Sequence, residues 1–299
     1  MLTRALDDAD VAFAAGDLLG ETPFWSGEEG ALYWVDIRSR SVRRWIEAMG
    51  EHTRWTMPEI CTGIVPTTGG RLVVALRSTI YLLDPTTGNL QHLARIEADE
   101  LGNRLNEMRC DPAGRLWIGS MRDYGAAVSG SLYCVGPDLS AVPILTDIRV
   151  PNGLAWSPDG RVMYFADTAE DFIRRYAYDV ETGSLGGGMT EIGRSLAGGA
   201  DGSAMDAEGY LWNARYGGGM VVRIAPDGRV VETVTLPVSQ PAACAFGGAD
   251  LKTLFITTAR QRLDEAALKD QPLAGHVFRL HTQVPGLPES AFALPDGRP

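Results

Sequence analysis

Oxygen-bearing side chains recur at one position of a unit that repeats along the chain. This position begins a short apolar strand and lies 11 to 13 residues before the centre of a second one. It is occupied in turn by Glu21, Cys61, Asn106, Asn152, Asp201 and Ala242. Four of the six are carboxylates or amides, whose oxygens suit Mg²⁺, Ca²⁺, Mn²⁺ or Fe²⁺ better than a soft thiolate site does. If the units surround an axis, the pattern predicts a divalent-cation site.

Turn formation is the alternative explanation for these residues. Asparagine and aspartate favour turns because their side chains hydrogen-bond the nearby backbone. That explanation would account for any one of these positions alone. Glu21 is not a turn former, and the four residues recur together, so we favour the binding interpretation.

The repeated unit has the length of one blade of a β-propeller. The second strands centre on Trp34, Val74, Trp117, Tyr164, Trp212 and Phe255, which are 40, 43, 47, 48 and 43 residues apart. Glycine-containing turns precede them, as hairpins require. A four-stranded unit cannot bury both of its faces alone, whereas six units packed around an axis can. We predict an all-β, six-bladed β-propeller that forms a single domain over residues 1–299.

Two segments fall outside the repeat. Residues 11–13 (Val-Ala-Phe) are placed where a strand from the amino terminus could close the ring. Residues 260–270 have a helix-like pattern inside the last unit and predict an insertion or a short surface helix.

Composition limits the partners and the compartment. The formal net charge is -11 without basic runs, which argues against nucleic acid and against an anionic membrane. No obligate protein partner is evident. The four cysteines show no C-x-x-C spacing, and neither a signal peptide nor an 18-residue apolar stretch is present. We expect a cytoplasmic protein.

Several sequence runs resemble one family. They are Gly20–Trp25, Arg104–Glu107, Asp111–Met121, Pro151–Gly160 and Asp201–Asp206, spread over units one, three, four and five. In these runs the chain is similar to the gluconolactonases, senescence-marker proteins and regucalcin, which are sugar-lactone hydrolases built as six-bladed propellers.

The resemblance implies roles for particular residues. It implies that Glu21, Asn152 and Asp201 bind one divalent metal ion, which would be Ca²⁺, Mg²⁺, Mn²⁺, Zn²⁺ or Fe²⁺. Asn106 would lie near the metal, in contact directly or through water. Arg104 and Asn106 would bind the sugar hydroxyls, and Asp201 would be the catalytic group that transfers a proton.

The chain departs from the family at two places beside the expected substrate. Family members often have Asn-Asp-Gly where this chain has Asn106, Glu107 and Met108, which changes the turn there. The stretch Arg122–Tyr124 lies where relatives vary. We therefore add Glu107 and Tyr124 to the candidate substrate-binding residues.

These observations predict a metal-dependent carboxylic ester hydrolase. It would open a small sugar-acid lactone to the free acid in a sugar oxidation pathway. Two alternatives remain open: a calcium-binding or scaffold propeller without catalysis, and a related esterase that acts on another ester. A substrate-facing Arg104 beside the metal would favour catalysis, since a pure metal site has no need of it.

Overall fold

Six antiparallel sheets form the blades of a propeller in the computed structural model, which describes residues 2–97 and 100–294. Two short strands precede the first blade: β1 (Leu2–Ala5) and β2 (Val11–Phe13). Blades one to three comprise β3 (Gly20–Ser26), β4 (Ala31–Asp36), β5 (Ser41–Ile46), β6 (Glu51–Thr56), β7 (Cys61–Pro66), β8 (Leu72–Leu76), β9 (Thr79–Leu83), β10 (Leu90–Arg95), β11 (Asn103–Cys110), β12 (Leu116–Arg122), β13 (Gly130–Val135) and β14 (Ala141–Ile148).

The second half of the ring repeats this order. Its strands are β15 (Pro151–Trp156), β16 (Val162–Asp167), β17 (Ile173–Asp179), β18 (Ser184–Ile192), β19 (Gly199–Met205), β20 (Leu211–Tyr216), β21 (Met220–Ile224), β22 (Val230–Thr235), β23 (Pro241–Gly247), β24 (Thr253–Thr258) and β25 (Val277–His281). The prediction of an all-β, six-bladed propeller is confirmed.

The amino-terminal segment completes one blade and extends another. Strand β2 pairs antiparallel with β25 and supplies the fourth strand of blade six, so the prediction for residues 11–13 is confirmed. Strand β1 pairs parallel with β22 and adds a fifth strand to blade five. No pattern in the sequence predicted that second pairing.

The helix prediction was too long. The helix α1 covers only Glu265–Asp270, because the Asp264 side chain accepts a hydrogen bond from the Ala267 N–H (2.8 Å) and caps its first turn. Two 3₁₀ turns, Asp8–Asp10 and Glu47–Met49, complete the helical elements of the described residues. No described helix is both long and apolar enough to cross a membrane.

Packing between blades buries the second strands. Their six central residues, Trp34, Val74, Trp117, Tyr164, Trp212 and Phe255, are each at most 2% exposed. Two of these tryptophans donate their indole N–H groups to buried aspartates in the turn before the strand: Trp117 to Asp111 and Trp212 to Asp206. These contacts anchor the second strands of blades three and five, and each second strand is hydrogen-bonded to the inner strand that lines the axis.

Candidate metal centre and substrate pocket

Every inner strand has a break in its pairing register where the repeated polar position lies. The breaks fall at residues 21–24, 61–63, 106–108, 152–155, 200–203 and 241–243 of β3, β7, β11, β15, β19 and β23. A bulge re-aims a side chain that regular pleating would direct between the blades. Three of the residues that follow the polar position, Thr22, Glu107 and Gly153, have φ values of 42°, 46° and 69°. The side chains at the polar position therefore leave the sheet pattern and face the axis.

Hydrogen bonds fix the amides of this group. The Asn106 Nδ2 donates to the Asn152 Oδ1 (3.0 Å) and to the Pro151 carbonyl (2.8 Å). The Asn152 Nδ2 donates to the Thr168 hydroxyl (2.7 Å), and Arg104 donates to the Asn106 Oδ1 (2.5 Å). These bonds determine which end of each amide is oxygen: the Asn152 oxygen accepts from Asn106, and the Asn106 oxygen accepts from Arg104.

The carboxylates are buried and incompletely bonded. Glu21 and Asp201 are 6% and 4% exposed, and the Asp201 Oδ1 has no hydrogen-bond partner among the described residues. Burial raises the pKa of both groups, that of Asp201 to well above its usual range, and the negative charge of Glu107 raises both further. The charge of Glu21 adds to the rise at Asp201. Burial of two neighbouring carboxylates is energetically unfavourable because each disfavours the ionised form of the other. A bound cation would stabilise both in their ionised forms.

These side chains line a cavity of about 150 Å³. Its walls include Glu21, Arg104, Asn106, Asn152 and Asp201. A second cavity of about 240 Å³ lies at the far ends of the inner strands, lined among others by Arg109, Trp156 and Glu289. The first has the oxygen donors and a buried cation on one wall, so it is the candidate site.

A family model for the SMP-30/gluconolactonase/LRE-like region matches residues 19–260. This chain belongs to that family. A 6-deoxy-6-sulfogluconolactonase of Pseudomonas putida is 38% identical over 92% of this chain and 95% of its own length. Regucalcin of Gallus gallus is 34% identical over the same shares, 92% and 95%. A solved regucalcin structure from Agrobacterium tumefaciens, described as a calcium-binding protein, superposes with a TM-score of 0.93 at 32% identity, covering 98% of this chain and 100% of that one.

Arg104 is held beside the oxygen donors, as expected for a substrate-binding residue in this sugar-lactonase family. Its Nη1 donates to Asn106 and to the Leu105 carbonyl (3.0 Å), and its Nε donates to the Asp123 Oδ1 (3.1 Å). Burial lowers the pKa of Arg104 to about 10, which leaves the guanidinium charged at neutral pH. A fixed cation thus lies beside the oxygen donors.

Five of the seven residues that the sequence proposed for the site line this cavity, and two do not. Glu21, Arg104, Asn106, Asn152 and Asp201 line the cavity. Glu107 does not: it lies deeper along the axis, where its carboxylate accepts the Leu154 N–H (3.1 Å).

Tyr124 is also outside the cavity wall. It is 74% exposed, and its ring lies against the guanidinium of Arg38, 5.5 Å from the ring centroid. The Arg38 Nη1 is 3.4 Å from its hydroxyl. Any effect of Tyr124 on a bound substrate would therefore act through Arg38.

Other wall residues were missed from the sequence. Arg38, Asp123, Thr168, Tyr216 and Gln261 follow the centres of their second strands by four or six residues. Tyr216 is the last residue of its second strand, and the other four lie in the loops just after theirs. Their signal in the sequence is only that they follow the second strands, since loop residues have no fixed side-chain direction that spacing could report.

Proposed function

We propose that this protein is a metal-dependent hydrolase that opens sugar-acid lactones to the free acids, as a carboxylic ester hydrolase in a sugar oxidation pathway. The observation that carries the proposal is one cavity that combines Glu21, Asn152 and Asp201 with the fixed cation of Arg104. Family membership supports it, since relatives are named as lactonases.

The donor set fits one divalent cation. Two carboxylates and one amide oxygen converge, and the buried, unpartnered Asp201 Oδ1 is a vacant acceptor. The described residues contain no group of three His, Cys, Asp or Glu side chains suited to a metal, because the third donor here is an amide. Oxygen donors accept Ca²⁺, Mg²⁺, Mn²⁺, Zn²⁺ or Fe²⁺. The description of one relative as calcium-binding supports a divalent ion.

The residues divide the work of ester cleavage. A bound cation would act as a Lewis acid toward the lactone carbonyl. The carboxylate of Asp201 takes a proton from the attacking water and returns it to the ring oxygen as the acyl carbon–oxygen bond breaks. Arg104 and Asn106 hold the sugar hydroxyls, with Arg104 presenting its donors in a fixed plane. Water adds across one bond, so no separate nucleophilic side chain is required.

The decisive experiment removes the metal. The purified protein is treated with a chelator and then supplied with single divalent cations, and lactone opening is followed as acid release. We expect activity to disappear and to return with at least one cation. Full activity in the chelated protein would refute the metal dependence.

A calcium-binding propeller without catalysis is the second candidate, favoured by the relatives named regucalcin. Cation binding by calorimetry without turnover of any lactone would support it. An enzyme for another ester is distinguished by a panel that includes aryl esters and phosphotriesters. The cytoplasmic location stays a prediction.

A further inference from the structure

We propose that the outer wall of the cavity is a subsite for an anionic group on the lactone, such as a carboxylate, sulfonate or phosphate remote from the ring carbonyl. The inference rests on the proposed lactonase function and narrows its substrates to lactones that already carry a negative charge. By the outer wall we mean the lining residues Arg38, Arg104, Asp123, Tyr216 and Arg262. None of them is a proposed metal ligand, and their charges are the basis of the inference.

Arginines outnumber acids around this wall. Asp123 faces two arginines of the cavity lining, Arg104 at 3.1 Å and Arg38 at 3.2 Å, and also Arg77, which lies outside the lining, at 4.0 Å. One carboxylate cannot balance three cations. Glu59 is 3.8 Å from Arg77, but both side chains are about half exposed and that pair is weak.

Glu21 and Asp201 do not correct the imbalance. Their two charges are the natural complement of one divalent cation, so the positive excess of the outer wall persists when a metal is bound. The whole chain carries a formal charge of -11. A local positive excess on an acidic protein indicates a specific anionic ligand rather than general attraction.

Arg262 adds a further cation to the cavity lining. It is exposed to solvent, and its guanidinium makes no ion pair or hydrogen bond with any described residue. Its φ is 66°, in the left-handed region that costs a non-glycine residue energy. The buried Tyr216 hydroxyl in the same wall faces the Gln261 side chain and the charge of Arg262.

Arg38 is held in place with donors to spare. Its Nε donates to the Gln261 Oε1 (2.7 Å) and its Nη1 to Asp123, while the Tyr124 ring covers one face. The Nη2 group makes no hydrogen bond with a described residue. A fixed guanidinium with a free edge suits the oxygens of a carboxylate, sulfonate or phosphate.

A neutral hydroxyl would satisfy these donors but not their charge. The open edge of Arg38, the unpaired Arg262 and the Tyr216 hydroxyl all belong to the wall formed by blades one, five and six. An anionic substituent bound there would accept hydrogen bonds from Arg38 and would offset the positive excess that Arg262 adds. We therefore expect the site to prefer lactones that carry a negative charge on the part of the substrate away from the reacting carbonyl.

The test compares matched lactones. The metal-loaded protein is assayed with glucono-1,5-lactone and with its analogues that carry a carboxylate, sulfonate or phosphate at carbon 6. We expect kcat/KM for at least one anionic analogue to exceed that of the neutral lactone by about tenfold or more, which corresponds to one charge-assisted hydrogen bond. The best analogue identifies the acid.

Two variants of one residue give the second measurement. In R262Q, we expect the ratio of kcat/KM for the anionic lactone to that for the neutral lactone to fall roughly tenfold, and in R262E roughly a hundredfold. R229Q removes an equal charge from an exposed turn, where Arg229 pairs with Asp227, and should leave the ratio unchanged.

The outcomes separate the two proposals. Equal kcat/KM for neutral and anionic lactones in the unmodified protein would overturn the subsite and leave the lactonase intact. An equal loss for both lactones in R262Q would do the same. Failure to open any lactone with any of the cations would overturn the lactonase proposal and the subsite with it.

Discussion

Two buried aspartates at opposite ends of one strand have opposite surroundings. Asp206, just after β19, is fully buried and accepts four hydrogen bonds: from the N–H groups of Glu208 and Tyr210, the Trp212 indole and the Arg223 guanidinium. Asp201, within the same strand, is 4% exposed and has one oxygen without a partner. Both oxygens of the Asp206 carboxylate accept hydrogen bonds, whereas one oxygen of the Asp201 carboxylate accepts none.

The difference indicates that Asp206 stabilises the blade, whereas Asp201 is available to bind a ligand. Burial of a charge is tolerated where donors replace water, as at Asp206. At Asp201 burial raises the pKa of the carboxyl because the donors are missing and Glu21 and Glu107 add negative charge. A folded chain retains such an arrangement at sites where a ligand completes it.

Replacing Asp201 gives the largest expected effect. Asp201→Asn keeps an amide oxygen for the metal but removes the charge of that ligand and the proton acceptor, so we expect kcat/KM for lactone opening to fall about 10³-fold, within the usual range for a general base. Without metal, burial of the Asp201 carboxyl requires it to take up a proton that the unfolded chain does not hold at neutral pH. Asparagine removes this cost, and the melting temperature should rise by about 2–4 °C for each kcal/mol gained. Acid release and thermal melting in chelator measure the two quantities. More than a tenth of the original activity would contradict the assigned role.

The matched change at the other end of the strand should do the reverse. Asp206→Asn turns an acceptor into an amide that faces donors and breaks the buried ion pair with Arg223, for which we expect a loss of about 3 kcal/mol in the free energy of unfolding. Activity per folded molecule should stay within about twofold. Urea unfolding with active-site titration by the cation tests this. A stability change as small as that of an exposed control such as Asp227→Asn would show that the bonds around Asp206 contribute little.

The sequence predicted the part of this molecule that repeats. Spacing located the six second strands, and counting back from them found Glu21, Asn106, Asn152 and Asp201, because the bulge occurs at the same step of each inner strand. Regular spacing cannot report what varies between blades.

Glu107 and Tyr124 illustrate that limit. Both are adjacent in sequence to wall residues, Asn106 and Asp123, yet neither side chain reaches the cavity. At Glu107 the left-handed backbone turns the side chain down the axis, and at Tyr124 the chain has already left the strand. The direction of a side chain one residue past a bulge depends on the local φ, which the sequence pattern did not reveal.

The hydrogen bonding of Glu107 is intermediate between that of Asp206 and that of Asp201. Its replacement has the smallest expected effect of the three. Glu107 has one backbone donor, from Leu154, and burial raises its pKa to about 7. Between its ordinary pKa, near 4.5, and 7, the unfolded chain loses the proton while the folded chain keeps it, so stability falls as the pH rises through this window. Glu107→Gln keeps an acceptor for Leu154 and cannot ionise. In chelator, the variant should match the unmodified protein at pH 4.5 and be more stable by roughly 1–3 kcal/mol at pH 8.

Its activity separates the two roles open to Glu107. Because the side chain lies outside the cavity wall, kcat/KM with metal should change by less than about threefold, a small effect beside the loss expected at Asp201. Urea unfolding across the pH range and lactone assays at one pH provide the measurements. A large loss of activity with an unchanged pH profile of stability would place Glu107 with the substrate-binding residues, as the sequence suggested. The ligand-binding region around Asp201 would then extend further down the axis.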